Sequence, residues 1–240
     1  MVSETGQAGS GRVARLVLAD DHDLVRDGLN LVLSREPDLE VVGEASDGLE
    51  AVSVCRRLAP DMVLMDIRMP DMDGLEATRR IKAEQPSVSV LMVTTYDDPD
   101  YLFEAVKAGA AGYVLKDATK EELVGAVRRV IEGDSPFDGN LAARLLQRLA
   151  TESPPAAEAP SGLEGSAPVT SNLTPREMQV LGLLAQGKSN PDIAADFVIS
   201  RATVKVHVER IIRKLGVSDR TQAVVRAIEL GLISPEIRGY

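Results

Sequence analysis

The sequence predicts an α/β domain with a doubly wound five-stranded parallel sheet, followed by a small all-α domain. Short apolar runs alternate with helical patterns through the front half, which is typical of a parallel sheet covered on both faces. Short, well-capped helical patterns fill the back segment, and a stretch rich in Pro, Ala, Ser and Gly before it indicates a linker. The predicted regions are a disordered tail (1–12), the α/β domain (13–134), a short helix and flexible linker (135–171), and the helical domain (172–240).

Five apolar runs are the predicted strands of the sheet. They cover Arg15–Ala19, Leu39–Ala45, Asp61–Met65, Ser89–Val93 and Gly112–Leu115. A helical pattern follows each strand, over His22–Arg35, Gly48–Ala59, Gly74–Gln85, Asp98–Gly109 and Thr119–Glu132. Helix-ending residues support these limits, because Gly109 punctuates the chain and Pro60 and Pro86 each follow a helix that they could not continue.

The helical domain is predicted mainly from its helix starts. Thr174, Asn190 and Ser200 are the predicted caps, and the first two are followed by proline at the first helical position. Thr174 and Glu177 have the spacing of a capping box. The helices with defined ends run over Arg201–Leu215, before Gly216, and over Thr221–Gly231; a further short helix is predicted over Asp138–Ala150, ahead of the linker.

Composition limits the class of protein. Of the 240 residues, 44% are apolar and only 3% are aromatic, with no Trp, so we expect an aliphatic core. No apolar run is long enough to span a bilayer, and the first residues lack the basic region and apolar stretch of a secretory signal. Cys55 is the single cysteine, which excludes an intramolecular disulfide and fits a reducing cytoplasm.

Charge is distributed unevenly along the chain. Residues 172–240 carry ten basic and seven acidic residues, a net charge of +3, whereas the whole chain carries −10 and the remainder therefore −13. An acidic front half and a mildly basic back segment indicate that the two parts bind different partners.

Polar residues lie at or just after the ends of four predicted strands. They are Asp20, Asp21, Asp66, Thr94 and Lys116. Ligands of open parallel α/β sheets bind outside the carboxyl ends of the strands, so these side chains should converge. Three carboxylates, a hydroxyl and an ammonium can hold a divalent cation and a phosphoryl group. The ordered set therefore predicts a phosphoryl-accepting site.

The same residues carry a family resemblance. The front half resembles a bacterial response-regulator receiver domain, and the whole chain resembles the NarL/FixJ family of two-component transcription factors. The motifs are Asp20-Asp21, Met65–Gly74, Val93–Thr95 and Gly112–Lys116. The resemblance implies a flavodoxin-like strand order and a sensor histidine kinase as phosphoryl donor.

Asp66 is the candidate nucleophile, because a carboxylate can form an acyl phosphate. A divalent cation would offset the repulsion between this carboxylate and an incoming phosphoryl group. Asp21 and Asp66 would bind the cation directly, and Asp20 directly or through water; hard oxygen ligands suit Mg²⁺. The resemblance adds the backbone carbonyl of Arg68 as a ligand.

Four further residues complete the predicted site. Lys116 would pair with the phosphoryl group as a point charge. By resemblance, Thr94 and Tyr113 form a switch pair, in which the Thr94 hydroxyl turns toward the phosphoryl oxygen and Tyr113 moves into the vacated space. Thr95 would partly govern the access of water.

Plainer interpretations stay open for several of these residues. An acidic pair such as Asp20 and Asp21 can simply cap a helix N-terminus, and Tyr113 can serve packing alone. His22 is expected to be a solvated residue at the start of the first helix.

The back segment contains four short motifs, Leu173–Leu181, Gly187–Asn190, Ile193–Ala195 and Thr203–Val208. With these motifs it resembles a LuxR-type helix-turn-helix domain. On the helix Arg201–Leu215, four residues share one face and should be buried: Val204, Val208, Ile211 and Leu215. A helix with one apolar stripe and basic residues elsewhere fits insertion into the major groove of DNA.

The predicted DNA contacts are Lys188, Arg201, Thr203, Lys205, Val206, Glu209, Arg210 and Arg213. By resemblance, Lys205, Val206 and Glu209 occupy base-reading positions, where Lys205 could reach guanine and Val206 a thymine methyl group. Glu209 departs from the family pattern; it could accept from cytosine or pair with Lys205, and the ion pair is the favoured interpretation. The residues better placed for phosphates are Lys188, Arg210, Arg213 and Lys214.

The last helical pattern, Gln222–Leu230, is apolar on more than one side, which predicts a homodimer contact between DNA-binding domains. We therefore predict a transcription regulator that is activated by phosphorylation of Asp66 and binds promoter DNA as a dimer. The alternative is a regulator or interaction module whose DNA binding does not depend on phosphorylation. A hydrolase is disfavoured, because no second general base is evident near Asp66.

Overall fold

The structure, a computed structural model, describes residues 12–134 and 173–233. Residues 12–134 form a five-stranded parallel sheet with the strand order β2-β1-β3-β4-β5. The strands are β1 Ala14–Ala19, β2 Leu39–Ala45, β3 Met62–Met65, β4 Ser89–Thr94 and β5 Gly112–Leu115. The strand order reverses between β1 and β3, so a crevice is expected at the carboxyl ends of these two strands.

Five helices cover the sheet on both faces. They are α1 Asp23–Leu33, α2 Gly48–Leu58, α3 Gly74–Glu84, α4 Pro99–Ala108 and α5 Lys120–Ile131. Alternate strand residues point to opposite faces, so that Val17 belongs to the core beneath α2, α3 and α4, and Leu16 to the core beneath α1 and α5. The doubly wound α/β prediction is confirmed, with every helix end within two residues of the predicted position.

Four helices form the second domain. They are α6 Pro175–Ala185, α7 Asn190–Phe197, α8 Arg201–Leu215 and α9 Arg220–Glu229. Their shared core includes Leu181, Ile193 and the predicted α8 stripe, in which Val204, Val208 and Ile211 are buried and Leu215 is half-buried. The domain is therefore the all-α unit that the sequence predicts.

The predicted cap of α7 was wrong by one residue. Ser189, not Asn190, caps this helix: its side chain accepts a hydrogen bond from the Asp192 amide, and its own amide donates to the Asp192 carboxylate. Asn190 is instead the first helical residue and is buried beside Arg220. A serine capping box satisfies two amide donors, which a cap at Asn190 would leave to other partners.

The predicted tail, the helix over Asp138–Ala150 and the linker lie outside the described residues. Within 12–134 and 173–233, no helix combines the length and the apolar character needed to cross a membrane.

Candidate phosphoryl-accepting site and nucleic-acid interface

The strand ends bring four of the predicted residues together. Asp20 follows β1, Asp66 follows β3, Thr94 ends β4 and Lys116 follows β5. Asp20, Asp66 and Thr94 are buried, and the parallel register aligns the ends of these strands at one edge of the sheet. The edge thus presents carboxylates and an ammonium in a partly enclosed crevice.

Lys116 lies between the two buried carboxylates. Its Nζ is 2.8 Å from Asp66 Oδ2 and 2.6 Å from Asp20 Oδ2. Burial alone would lower the pKa of Lys116, but its contacts with Asp20 and Asp66 outweigh burial and raise that pKa above its ordinary value. The ammonium therefore stays charged, as a group that pairs with a phosphoryl oxygen must.

The Asp66 carboxylate is held at both oxygens. The Ile67 amide donates to Oδ1 over 2.7 Å, while Lys116 contacts Oδ2. Asp20 Oδ2 is buried and lies 2.6 Å from the Lys116 ammonium, and within the described residues it has no further hydrogen-bond donor. A buried oxygen with spare acceptor capacity fits a cation or water ligand beside Asp66.

The acidic cluster also includes a residue that sequence reasoning placed in solvent. Ligand atoms of Asp20, Asp21, His22 and Asp66 all lie within 4.8 Å of one another. His22 is largely exposed, but its Nδ1 is 2.8 Å from Asp21 Oδ1. In the sequence, the one feature that could have placed His22 in this cluster is its position directly after Asp20 and Asp21. The three carboxylates supply the hard oxygen ligands that Mg²⁺ prefers.

The loop after β3 is shaped by the close approach of its own backbone. A Cβ atom on Gly74 would lie 1.9 Å from the carbonyl oxygen of Asp66, so only glycine fits. The Gly74 amide donates to the Ile67 carbonyl over 2.8 Å, and Asp73 caps α3 by accepting from the Glu76 amide. These contacts fix the backbone on both sides of the candidate nucleophile.

The remaining predicted residues surround this crevice. Arg68 and Thr95 are exposed. The Tyr113 hydroxyl donates to the Tyr96 carbonyl over 2.6 Å, while Thr94 is buried with Oγ1 3.5 Å from the Tyr96 amide. Burial raises the pKa of Tyr113, so its hydroxyl remains a donor. Thr94 and Tyr113 thus meet at one residue, Tyr96.

Seven predicted DNA contacts lie on the exposed surface of α8. They are Arg201, Thr203, Lys205, Val206, Glu209, Arg210 and Arg213. The favoured ion pair between Lys205 and Glu209 was wrong: neither residue forms one within the described parts of the chain. Lys188 pairs with Asp196 over 2.5 Å and Lys214 with Glu177 over 2.7 Å. Their charges are partly neutralised within the domain.

The recognition surface faces the α/β domain across a cleft of about 280 Å³. Lys205 and Glu209 line one wall, and residues such as Ser89, Ala111 and Gly133 line the other. A recognition helix inserts into the major groove of DNA, so a duplex bound at Lys205 and Glu209 would meet the residues of the opposite wall. In this arrangement the α/β domain therefore obstructs the approach of DNA to these two residues, although both are exposed to solvent.

Buried charges join the two domains beside this cleft. Arg220, at the start of α9, forms an ion pair with Asp134 and donates to the Lys188 carbonyl over 2.7 Å. Asp219 Oδ2 is 3.8 Å from Lys82 Nζ. Burial lowers the pKa values of Arg220 and Lys82 and raises that of Asp219.

An apolar contact completes the domain interface. Val225 of α9 packs against Leu102, Phe103 and Val106 of α4. Gln222 Nε2 also donates to the Val106 carbonyl over 2.5 Å. Part of the helix surface that was predicted to form a homodimer contact is thus covered by the α/β domain.

Comparison with known proteins identifies both halves of the chain. Residues 16–128 match the family model described as response regulator receiver domain, and residues 171–227 match that of bacterial regulatory proteins of the luxR family. The chain is 41% identical to the transcriptional regulatory protein LiaR of Bacillus subtilis (strain 168) over 213 residues, 89% of this chain and 96% of LiaR. It is 38% identical to the response regulator VraR of Staphylococcus aureus over 219 residues, 91% of this chain and 98% of VraR.

Part of the chain is also similar to a solved structure of a response regulator. The crystal structure of a LuxR-family two-component response regulator from Aurantimonas sp. SI85-9A1 aligns with a TM-score of 0.53 at 34% identity. The alignment covers 57% of this chain and 99% of that one.

Proposed function

The chain belongs to the two-component response regulators with a luxR-type DNA-binding domain, which are transcription regulators rather than enzymes, and we propose that Asp66 is its phosphoacceptor. A sensor histidine kinase donates the phosphoryl group, in the cytoplasm, and the product is a regulator that binds promoter DNA as a dimer. The observation that carries this proposal is the position of the Asp66 carboxylate, fixed at Oδ1 by the Ile67 amide and contacted at Oδ2 by Lys116.

Each residue around Asp66 has its own role in the proposed phosphoryl transfer. An Asp66 oxygen attacks phosphorus, a P–O bond forms, and the bond to the donor breaks with its electron pair leaving on the donor. Asp20, Asp21 and Asp66 would hold Mg²⁺, with the Arg68 carbonyl as a further ligand, and the ion supplies charge neutralisation in the transition state. Lys116 moves its pairing from the carboxylates to the new phosphoryl oxygens.

The domain interface supplies the reason why phosphorylation would matter. Lys205 and Glu209 line a cleft whose opposite wall belongs to the α/β domain and obstructs DNA, and Val225 is covered by α4. Tyr113 packs against the apolar cluster at this interface, and it shares its hydrogen-bond partner Tyr96 with Thr94. We therefore infer that the phosphoryl group, through Thr94 and Tyr113, releases α4 from α9 and frees α8 and α9 for DNA and for a second copy.

Beryllofluoride with Mg²⁺ tests the proposal, because it mimics an aspartyl phosphate without a kinase. Wild type is expected to self-associate and to gain affinity for a promoter-derived duplex on adding beryllofluoride, whereas Asp66→Asn should do neither. Asp71→Asn is the matched control: Asp71 is exposed in the same loop and has a positive φ of 60°, which Asn adopts readily. This control should respond like wild type.

Two outcomes would overturn the proposal. If Asp66→Asn still responded to beryllofluoride, the phosphoacceptor would lie elsewhere. If wild type bound DNA equally with and without beryllofluoride, the protein would be a regulator whose DNA binding does not depend on phosphorylation.

A further inference from the structure

Arg68 extends its side chain from the loop after β3 to two tyrosines. Its Cζ atom is 5.9 Å from the ring centre of Tyr96 and 5.3 Å from that of Tyr101, and its guanidinium donates a hydrogen bond to the Tyr101 hydroxyl. The two rings are 4.7 Å apart and tilted by 41°. A planar guanidinium suits such stacking. We refer to Arg68, Tyr96 and Tyr101 as the Arg68 cluster.

The cluster joins the phosphoacceptor loop to α4. Arg68 lies two residues after Asp66, Tyr96 lies in the loop between β4 and α4, and Tyr101 lies in the first turns of α4. Tyr101 also packs against the core beneath α2, α3 and α4. Any displacement of the loop after Asp66 therefore reaches α4 directly.

The same helix holds the DNA-binding domain. The residue that follows Tyr101, Leu102, packs with Phe103 and Val106 against Val225 of α9. The ten-residue helix α4 is thus contacted near its start by Arg68, two residues after the candidate nucleophile. Along another side it is contacted by α9 of the second domain.

This connection does not pass through Thr94. The predicted switch pair reaches Tyr96 through the hydrogen bond from the Tyr113 hydroxyl to the Tyr96 carbonyl, whereas Arg68 reaches the Tyr96 ring from the opposite loop. The two connections meet at Tyr96 and start from different strands.

We propose that Arg68 is a positioning residue that holds α4 against α9, through Tyr96 and Tyr101, until Asp66 is phosphorylated. This inference rests on the proposed function, in which the Arg68 carbonyl also approaches the metal ion. A shift of that carbonyl moves the side chain, and the Cζ atom, at 5.9 Å and 5.3 Å from the two ring centres, is already close to the limit of about 6 Å for a cation–π contact. Occupation of the site thereby releases α4.

Thermodynamic linkage gives the signature of this role. A residue that stabilises the closed arrangement opposes every ligand that favours the open one, by the same factor. Arg68→Ala keeps the backbone carbonyl and removes only the side chain. We expect it to raise the apparent affinity for beryllofluoride and the basal affinity for DNA together, each about fivefold, the effect of one exposed cation–π contact. Tyr101→Phe, which keeps the ring and loses the hydroxyl, should have a smaller effect in the same direction.

Tyrosine fluorescence can report on the cluster without a label. The chain has no Trp and four Tyr, of which Tyr96, Tyr101 and Tyr113 lie here. In a Tyr240→Phe background, beryllofluoride titrations in the presence of Mg²⁺ give the apparent affinity, and DNA binding is measured separately. Arg80→Ala is the matched control, because it removes an exposed arginine that pairs with Glu76 on α3, away from the tyrosines.

The outcomes separate this inference from the function on which it rests. If Arg68→Ala left both affinities unchanged, or lowered the affinity for beryllofluoride, Arg68 would have only a structural role and the inference would be overturned. If wild type itself failed to respond to beryllofluoride, the proposed function would fail first.

Discussion

Two charged regions of this molecule, the crevice around Asp66 and the interface between the domains, differ in how well their charges compensate one another. In the crevice, contacts with Asp20 and Asp66 outweigh burial and raise the pKa of Lys116. In the interface, burial prevails, and it lowers the pKa values of Lys82 and Arg220. The first region favours its charged state, and the second carries a desolvation cost.

This difference fits two separate roles. A phosphoryl-accepting site must keep its ammonium and carboxylates charged and in place through many cycles. A contact that opens on activation must be strong enough to persist and weak enough to break, and buried ion pairs with incomplete compensation meet that condition. If phosphorylation separates the domains as proposed, the chain combines a site that must stay charged, which we call the rigid site, with a breakable contact, and α4 joins the two.

The largest effect is expected from breaking the ion pair between Asp134 and Arg220. Asp134→Ala leaves a buried guanidinium without its carboxylate, which costs about 3 kcal/mol in such settings, and separation of the domains relieves that cost by exposing Arg220 to water. Without beryllofluoride, the variant should therefore bind DNA more tightly than wild type. Small-angle scattering and DNA titrations measure the two consequences.

Glu40→Ala is the control for this experiment, because Glu40 is an exposed acid on β2, at the opposite edge of the sheet from β5. It should behave as wild type. An Asp134→Ala protein that remained compact and bound DNA only after activation would show that the ion pair does not hold the domains together.

Gly74→Ala probes the rigid region. The added methyl group would lie 1.9 Å from the Asp66 carbonyl oxygen, so the loop must move, at a cost of about 2–3 kcal/mol in unfolding free energy. We expect a lower thermal midpoint and loss of beryllofluoride binding. Gly125→Ala, on α5, has open space around its Cβ position and should retain binding; equal stability of the two variants would contradict the close approach seen at Gly74.

The contrast also explains what the sequence could predict. Asp20, Asp66, Thr94 and Lys116 follow or end apolar strands, and parallel strands bring such positions to one edge, so their convergence follows from pattern alone. Asp134, Lys82 and Arg220 lie at or near helix ends, where no periodicity marks a partner. The Arg68 cluster likewise depends on three separate loops and helices. Contacts between elements distant in sequence carry no local signal.

Errors at the second domain have the same origin. Both Ser189 and Asn190 are good cap residues, and only the backbone conformation decides between them. Lys205 and Glu209 have the i, i+4 spacing of a helical ion pair, although in the less favourable order with the lysine first, and both side chains line the interdomain cleft instead. Tertiary context decided each case.

The stability of the helical domain should depend on pH through one buried carboxylate, that of Glu177. Glu177 is buried; burial acts to raise its pKa, but its contacts with Lys214 and Thr174 outweigh this and lower the pKa below the ordinary 4.5. Because the pKa is lowered on folding, the stabilisation is complete above pH 4.5 and is lost as the pH falls through the lowered value. Glu177→Gln should therefore destabilise this domain by about 1–2 kcal/mol at neutral pH, and by less in acid.

Hydrogen exchange of α6 and α8 amides at several pH values measures this difference in the intact chain. Glu229→Gln, which removes an exposed partner of Arg226, is the control and should change little. A Glu177→Gln deficit that stayed constant down to pH 3 would mean that the carboxylate charge is not the source of the stability.

The smallest expected effect is a change in thiol alkylation rate, which can be measured in both regions of one molecule. Cys55 is the single native cysteine; burial raises its pKa to about 12, so it should resist alkylation at pH 8 with or without beryllofluoride. Val225→Cys adds a thiol at the covered face of α9, and opening of the domains exposes it. A tenfold increase in its alkylation rate on adding beryllofluoride would correspond to about 1.4 kcal/mol in the opening equilibrium. If both thiols responded alike, activation would loosen the α/β core as well, and the division between a rigid site and a breakable contact would be wrong.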